Sequence, residues 1–356
     1  MKRIVVKIGS STVVGTDGTV DAAFLDGLAG DCAQLVEEGT SPLIVSSGSI
    51  ALGLSTLGLP ADRPDDMPTL QAAAAVGQVP LIRAYEGAFA ARGLTVAQVL
   101  LTRATTERRE AFLHARDTIE RLLDLGIIVI VNENDTVAVD EIRFGDNDSL
   151  AAMVATTVGA DEVIVLSDID GLYTADPRED ADAELLETVC EMSADIEASA
   201  GGVGSRHGSG GMVTKLAAAR VLMAAGIPMV LCDGSRPHAV TDIAHGEHVG
   251  TTFFDEGALG LHARKAWIAL GGKPKGSVTC DEGCCRALRE RGGSLLAVGV
   301  TEVTGDFEAG DAVDLVDAAG RLVGRGLAGW SSERLRECAG KRADGEFINR
   351  DELVIF

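Results

Sequence analysis

The sequence predicts an α/β protein in which a mostly parallel central sheet is covered by helices on both faces, followed by a small β-rich domain. Three observations predict this fold. Over the first roughly 260 residues, six short apolar runs alternate with segments of helical periodicity. These runs are continuously apolar, which is typical of parallel strands buried on both sides. After about residue 262, shorter strand-like segments are separated by turn signals.

The strand predictions are, in chain order, RIVVKIG, SPLIVSSG, LTVAQVLLT, GIIVIVNEND, DEVIVLSDID and GIPMVLCDG. Asp21 fits an N-cap for a helix that runs to Glu38, and helical periodicity also covers QAAAAVGQVPLIRAYEGAFAARG and RREAFLHARDTIERLLDLG. Except for LTVAQVLLT, each predicted strand ends in Gly, Ser, Asn or Asp. Ligands of such sheets bind beyond the carboxyl ends of the strands, so these polar endings predict where a site lies.

The change from long alternating strand and helix patterns to short strand-like segments predicts a domain boundary. The segment RKAWIALGGKPKG, with Pro274 between glycines and lysines, is typical of a linker. We therefore expect one domain at 1–262, a linker at 263–275 and a second domain at 276–356. The segments GSVTCD and SLLAVGVTEV and their successors predict a small β-barrel or sandwich, with one helix at EGCCRALRERG.

Composition excludes several classes of protein. The formal net charge of −23 disfavours nucleic acid and anionic membranes as partners. We find no run of about 20 apolar residues, so we expect no membrane span, and MKRIVVKIGS resembles a first strand rather than a signal peptide. Seven widely spread cysteines argue against a disulfide framework and favour the cytoplasm. Cys280, Cys284 and Cys285 lack metal-ligand spacing, so we predict a structural role for them and no metal site.

The run GSGGMVTK, Gly208 to Lys215, is the strongest candidate for phosphate binding. Three of its first four residues are glycine, and helix-like LAAARVLMAAG follows. A glycine-rich turn at a helix N-terminus exposes backbone N–H groups to an anion. It is not a Walker A motif, because three residues separate the last glycine from Lys215. A glycine-rich surface turn with an incidental lysine is the competing interpretation.

Two further segments are candidates for the same site. Lys7 stands near the end of the first apolar strand, where an unpaired lysine is costly unless it snorkels to solvent or meets a ligand. The run SSGSIALG, Ser46 to Gly53, follows the second strand and suits an anion through its hydroxyls and its helix start. Ser167 and Asp168 begin the loop SDIDGLYTADP after another strand, from which they could contact a nucleotide.

The most polar part of the chain is NENDTVAVDEIRFGDNDSL, from Asn132 to Leu150. NEND ends a strand, and a predicted hairpin leads to GDND and a helix. Such side chains can hold an ammonium group and a carboxyl group together. The alternative is turn and cap chemistry, which Asp and Asn favour, and which fits Asp146 in particular. The candidate residues of this segment are Asn132, Asn134, Asp135, Asn147 and Asp148.

Taken in order, these motifs resemble those of the glutamate 5-kinases, members of the amino acid kinase superfamily. The resemblance rests on Lys7-Ile8-Gly9-Ser10, SSGS, VNENDTVA, FGDND, LSDIDGLYTADPR and GSGGMVTK, and it spans essentially the whole chain. It implies an αβα sandwich at 1–262 and a PUA domain at 276–356. It also implies transfer of the γ-phosphoryl group of ATP to the side-chain carboxylate of L-glutamate, with Mg²⁺, in the first step of proline biosynthesis.

The resemblance also implies roles for individual residues. Lys7 and Lys215 would contact the transferring phosphoryl group, and Asp148 would orient both lysines. Glutamate would be held by Ser47, Asp135, Asn147 and Asn132. Ser167 and Ser209 stand where Thr is frequent in the family, and both keep the hydroxyl group. A homo-oligomer and feedback inhibition by proline are further implications. The ATP site would be formed by Lys7, Ser167, Asp168, Ser209, Gly210, Gly211, Met212, Val213, Thr214 and Lys215.

Two other functions compete with this interpretation. Another amino acid kinase, acting on acetylglutamate, aspartate or a nucleoside monophosphate, would share the fold and the ATP loop. An RNA-binding regulatory protein is the alternative from a different class, since PUA domains occur in RNA-modifying enzymes. From Pro274 to Phe356 there are 11 basic and 15 acidic residues, whereas a phosphate-binding surface is usually basic. This balance disfavours RNA as a partner, although Arg286, Arg289 and Arg291 form one local basic group in the sequence.

Overall fold

The chain folds into two compact units, Met1–Ala258 and Leu259–Phe356. The computed structural model describes residues 1–60, 64, 66–102, 109–137, 147–177, 180, 182–193, 196, 211–255 and 274–356. The predicted linker up to residue 273 and the predicted hairpin at 138–146 lie outside these residues. The domain boundaries drawn from the sequence therefore stay a prediction.

The first unit is built on an eight-stranded sheet with the order β3-β4-β2-β1-β5-β9-β10-β8. Every neighbouring pair in this sheet is parallel except β9 and β10, which are antiparallel. All six strands predicted from apolar runs are confirmed, as β1 to β5 and β9. The strands of this sheet are β1 Arg3–Ile8, β2 Ser41–Ser46, β3 Val96–Leu101, β4 Ile128–Glu133, β5 Glu162–Ser167, β8 Thr188–Val189, β9 Met229–Asp233 and β10 Thr251–Phe253. A separate two-stranded ribbon pairs β6 Leu172–Tyr173 with β7 Leu185–Leu186.

Helices cover both faces of this sheet. On one face, Ile4, Val6 and Ile8 of β1 join a core cluster with residues of α2, α4 and α8. Because strand side chains alternate, Lys7 points to the other face, where α6 contacts β1 and α7. Within the described residues, the helices of this unit are α1 Ser10–Val13, α2 Ala22–Glu37, α3 Ser49–Thr56, α4 Met67–Ala90, α5 Arg109–Asp124, α6 Asn147–Val158, α7 Met212–Ala224 and α8 Ala239–Ala244.

Local signals account for where these helices begin. Asp21 caps α2 as predicted, since its side chain accepts a hydrogen bond from the backbone N–H of Phe24 at 2.9 Å. Asp66 does the same for α4, through Thr69. Gly48 precedes α3 with φ of 99°, a left-handed conformation that glycine adopts without strain. Within the described residues, no helix is both long and apolar enough to cross a membrane.

Two glycines allow α3 and α4 to pack backbone against backbone. A Cβ atom on Gly77 of α4 would lie 1.8 Å from the carbonyl oxygen of Ser49. A Cβ atom on Gly53 of α3 would lie 1.7 Å from the carbonyl oxygen of Ala73. Neither contact tolerates a side chain. The two helices are therefore locked together next to the loop that precedes α3.

The second unit has a five-stranded sheet with the order β12-β11-β13-β14-β15. Its described residues, 274–356, form two α-helices where the sequence predicted one, and the additional helix is short and is capped by the hydroxyl of Ser331. Cys280 and Cys285 are buried in its core and Cys284 is partly buried against it. The elements are β11 Gly276–Cys280, α9 Glu282–Arg291, β12 Val300–Gly305, β13 Ala312–Val316, β14 Leu322–Leu327, α10 Ser332–Cys338 and β15 Leu353–Ile355.

Candidate active site

One buried aspartate lies between two buried lysines at the carboxyl ends of the central strands. Asp148 Oδ1 is 2.6 Å from Lys7 Nζ, and Asp148 Oδ2 is 3.4 Å from Lys215 Nζ. The three residues are 2–5% exposed, so water screens these charges little. They come from three elements: Lys7 from β1, Asp148 from the first turn of α6, and Lys215 from the first turn of α7. We call them the Lys-Asp-Lys trio.

Burial and charge act in opposite directions within the trio. Burial by itself would raise the pKa of Asp148, but the ammonium groups of Lys7 and Lys215, with hydrogen bonds from Lys7 and Thr214, hold that pKa below its ordinary value. For Lys215, burial is the largest influence and lowers the pKa. The Asp148 carboxylate opposes this effect and the charge of Lys7 adds to it, so the pKa of Lys215 stays below that of an ordinary lysine. Asp148 is therefore ionised at neutral pH.

The glycine-rich run, Gly208 to Lys215, leads into the N-terminus of α7, as the sequence predicts. Gly211 precedes the helix, and Met212 and Val213 form its first turn, where Val213 is largely exposed. The hydroxyl of Thr214 lies 2.7 Å from Asp148 Oδ2 and 2.9 Å from the Gly211 carbonyl oxygen, and its single hydrogen is shared between these two acceptors. Thr214 thus contacts the trio directly, which the sequence alone did not indicate. Ser209 and Gly210 lie outside the described residues.

An amide cluster lies at the ends of β2 and β4. Asn147 Nδ2 is within hydrogen-bond distance of the Ser46 carbonyl at 2.8 Å, the Ser47 hydroxyl at 2.9 Å and Asn132 Oδ1 at 3.0 Å. Asn132 Oδ1 also accepts from the backbone N–H of Glu133 at 2.8 Å. With its nitrogen turned to these three acceptors, Asn147 directs its own Oδ1 away from them. Asn147 precedes Asp148 in the chain, so the amide cluster and the trio share the start of α6.

Asp135 lies beside this cluster, and its carboxylate accepts a hydrogen bond from the Ser49 hydroxyl at 3.1 Å. Asn134 is different, since its Oδ1 accepts from the hydroxyl of Thr136 in the following turn. Turn chemistry therefore accounts for Asn134, whereas Asn132, Asp135, Asn147 and Asp148 come together. Glu141 and Asp146 lie outside the described residues.

Ser167 and Asp168 mark the end of β5. The buried Ser167 hydroxyl donates to Asp168 Oδ1 at 3.2 Å, and the charge of Asp168 acts on Lys215. These two residues line a cavity of about 510 Å³, which is also lined by Ser11 and Thr12 of α1 and by Gly234, which follows β9. This volume lies within the range of small-molecule sites.

The structure adds two residues that the sequence did not single out by role. Ser49 was visible only as part of the SSGS run, and it binds the carboxylate of Asp135. Gln78 of α4 accepts a hydrogen bond from Asn132 Nδ2 at 3.0 Å, across 54 positions of the chain. Gln78 lies in an Ala-rich helix with no motif around it, so only the fold could reveal this contact.

Comparisons with known proteins show the family to which the chain belongs. The family model of the amino acid kinase family matches residues 2–233, and the PUA domain model matches residues 276–345. Glutamate 5-kinase from Citrifermentans bemidjiense is 44% identical, over 100% of this chain and 98% of that protein. Glutamate 5-kinase from Myxococcus xanthus is 45% identical, over 99% and 96%. Glutamate 5-kinase from Synechococcus sp. is 47% identical, over 95% and 91%. The chain therefore belongs to the amino acid kinase family, among the glutamate 5-kinases.

Proposed function

We propose that this protein transfers the γ-phosphoryl group of ATP to the side-chain carboxylate of L-glutamate, which yields L-glutamyl 5-phosphate and ADP. This is the first step of proline biosynthesis. The observation that carries the proposal is the Lys-Asp-Lys trio next to the amide cluster. It joins a cationic centre suited to a phosphoryl group with acceptors suited to an amino acid. Full-length relatives at 44–47% identity support the same assignment.

The chemistry needs no general base. A glutamate carboxylate is already ionised at neutral pH, so one of its oxygens attacks the γ-phosphorus directly and the bond to the β-phosphate oxygen breaks. The obstacle is repulsion between the carboxylate and the triphosphate. Two ammonium groups in a water-poor site oppose that repulsion as charge spreads over the transferring group. Asp148 keeps both ammonium groups at fixed positions, and it remains a carboxylate throughout.

We assign the substrate sites from the same geometry. Asn147 Oδ1 and the Asp135 carboxylate are acceptors for the ammonium group of glutamate, and Ser47 and Asn132 complete that site. For ATP, we assign the region that runs from Lys7 across Ser167 and Asp168 to the glycine-rich run ending at Lys215. Ser209 and Gly210 keep the role that the family resemblance implies.

Mg²⁺ would enter with the nucleotide. The Asp148 carboxylate is already engaged by two ammonium groups and by Thr214, so it has little capacity left for a metal ion. This fits a cation that is carried by the phosphate oxygens of ATP and keeps several waters. Bound there, Mg²⁺ supplies neutralisation of phosphate charge.

Replacing Asp135 by alanine is expected to raise the KM for glutamate about tenfold or more, with a smaller change in kcat. The substitution removes a charged hydrogen-bond acceptor, and such bonds are worth about 1.5–3 kcal/mol. Initial rates at saturating ATP measure the effect. Asp26→Ala, which removes an exposed carboxylate bound to Arg92, is the matched control. An unchanged KM in Asp135→Ala removes Asp135 from the substrate site.

The lowered pKa of Lys215 predicts an alkaline limit to activity. Since the charged ammonium is the active form, kcat/KM for ATP falls as pH rises through that pKa. The fall is expected below the ordinary lysine value of about 10.4. Lys215→Arg, which stays charged, is expected to move the limit to higher pH while lowering the overall rate. If the limit stays where it was in Lys215→Arg, another group sets it.

The direct test traps the acyl phosphate as a hydroxamate in the presence of ATP and hydroxylamine. We expect product from L-glutamate, with little from aspartate or acetylglutamate and no ADP release with nucleoside monophosphates. Product from one of those substrates instead would reassign the enzyme within its superfamily. Binding of RNA at physiological salt would support the regulatory alternative. Against that alternative, Arg286 is already paired with Glu282 at 3.0 Å on the surface of α9.

We further propose a catalytic domain at 1–262, a linker at 263–275 and a PUA domain at 276–356, which the two compact units and the two family matches support. A homo-oligomer and inhibition by proline are proposed from the resemblance alone. Light scattering and the hydroxamate assay with added proline test them. Seven free cysteines support a cytoplasmic location.

A further inference from the structure

Gln78 lies on α4, at the back of the amide cluster. Its Oε1 accepts from Asn132 Nδ2 at 3.0 Å, and Asn132 Oδ1 in turn lies 3.0 Å from Asn147 Nδ2. Gln78 also lines a cavity of about 290 Å³ together with Glu133 and Asp135. A chain of amide hydrogen bonds therefore runs from α4 through β4 to the start of α6.

The direction of these hydrogen bonds fixes which atoms face the substrate. Asn132 Oδ1 is held by two donors, the Glu133 backbone N–H and Asn147 Nδ2. Gln78 accepts from the opposite end of the same amide, so both ends of the Asn132 side chain are restrained. With Asn132 restrained, Asn147 keeps its nitrogen on the protein, so its Oδ1 is the atom that we assign to accept from the ammonium group.

The backbone holds Gln78 in place. Its neighbour Gly77 packs against the Ser49 carbonyl so closely that a Cβ atom would lie at 1.8 Å. Ser49 belongs to the loop and helix start that also carry Ser47. The Cα of Gln78 is therefore fixed relative to the glutamate site. The neutral amide also supplies an acceptor without adding negative charge near Glu133 and Asp135.

We propose that Gln78 is a positioning residue for the amino acid substrate, an inference that rests on the proposed glutamate kinase activity. It acts on Asn147 through its hydrogen bond to Asn132, two hydrogen bonds away from the residue that precedes Asp148. Its loss therefore affects the binding of glutamate and leaves the phosphoryl-transfer step unchanged.

The test is a kinetic double-mutant cycle in the full-length chain. Gln78→Met keeps length and helix propensity but removes the acceptor, and we expect a three- to tenfold higher KM for glutamate. The kcat and the KM for ATP are expected to stay within about twofold. In an Asn132→Ala background, Gln78→Met is expected to add no further increase, because Gln78 acts through Asn132. Gln34→Met, an exposed helical glutamine bound to Glu38, is the matched control and is expected to match the wild type.

Three results overturn the inference: an unchanged KM in Gln78→Met, increases that multiply in the double variant, or a fall in kcat at constant KM. If Gln78→Met does not fold, Gln78→Asn replaces it, since its amide ends about one bond length short of Asn132 and is expected to give the same rise in KM. If the proposed glutamate kinase activity is itself wrong, the wild-type chain forms no hydroxamate from glutamate. That result differs from the three results that overturn only the role of Gln78.

Discussion

Lys215→Ala is expected to lower kcat by roughly 10²–10³, with a much smaller change in the KM for glutamate. The size follows from the loss of one preorganised positive donor in a site where charge develops, which costs about 2.7–4 kcal/mol. Lys215 is 5% exposed and its ammonium lies 3.4 Å from Asp148, so a cation from solvent does not easily replace it. Single-turnover measurements of acyl phosphate formation at saturating ATP and glutamate give the chemical step.

Lys2→Ala is the matched control for this prediction. Lys2 precedes β1 at the amino ends of the strands, away from the trio, where its partly exposed ammonium lies 3.2 Å from Glu162. Its loss is expected to leave kcat unchanged. In Lys215→Ala, Asp148 keeps Lys7 as a charged partner but loses Lys215, so the substitution can also lower stability. A thermal unfolding curve of this variant shows whether a lower kcat comes from lost catalysis or from lost structure. A folded Lys215→Ala enzyme with wild-type kcat would remove Lys215 from the catalytic centre.

Gly77→Ala is expected to give the largest loss of stability of any methyl-sized change in α4. The added Cβ would lie 1.8 Å from the Ser49 carbonyl oxygen and 2.4 Å from the Gly53 nitrogen, so the two helices must separate. Overpacking typically costs about 1–3 kcal/mol, and contact with rigid backbone places this case at the upper end or beyond. The midpoint of thermal unfolding of the first unit is expected to fall by about 6–12 °C.

The same substitution at Gly87, two to three turns further along α4, provides a control of opposite sign. A Cβ atom there meets nothing within 4 Å. Alanine is the better helix former by about 1 kcal/mol, so Gly87→Ala is expected to raise the unfolding midpoint. Equal effects at the two positions would show that helix propensity, rather than the contact between α3 and α4, decides stability here.

The sequence predicted the frame of the sheet because its strands carry their own signal. Continuous Val, Ile and Leu runs predict β1, β2, β4, β5 and β9, since strands buried on both faces have no polar alternation. The edge strand β3 is less buried and includes Gln98, and its prediction rests on the remaining apolar residues of its run. The strands β8 and β10 are two and three residues long, which is too short for any pattern. The helix α10 is seven residues long and depends on the Ser331 cap and its packing, so its periodicity was too brief to recognise.

The candidate site was predictable only in part. Lys7, Asp148 and Lys215 are far apart in the chain, and local patterns cannot show that they meet. Their strand-end and helix-start positions predicted a common edge, and the family resemblance supplied the pairing. For Gln78, neither a local sequence pattern nor the family resemblance indicated a role, because a glutamine on an Ala-rich helix is ordinarily a solvated residue. Only packing of α4 against α3 brings it to Asn132.

The Lys-Asp-Lys trio has a consequence for how fast nucleotide arrives. Two lysines and one aspartate leave a single positive charge, buried within a chain of formal net charge −23. An anionic nucleotide is therefore repelled at long range and attracted only within a few ångströms. Salt weakens the long-range repulsion between the nucleotide and the acidic protein before it weakens the short-range attraction, because the Debye length falls from about 30 Å at 0.01 M to about 8 Å at 0.15 M. The association rate constant is expected to rise with ionic strength over this interval, opposite to enzymes whose surface field guides anionic substrates inward.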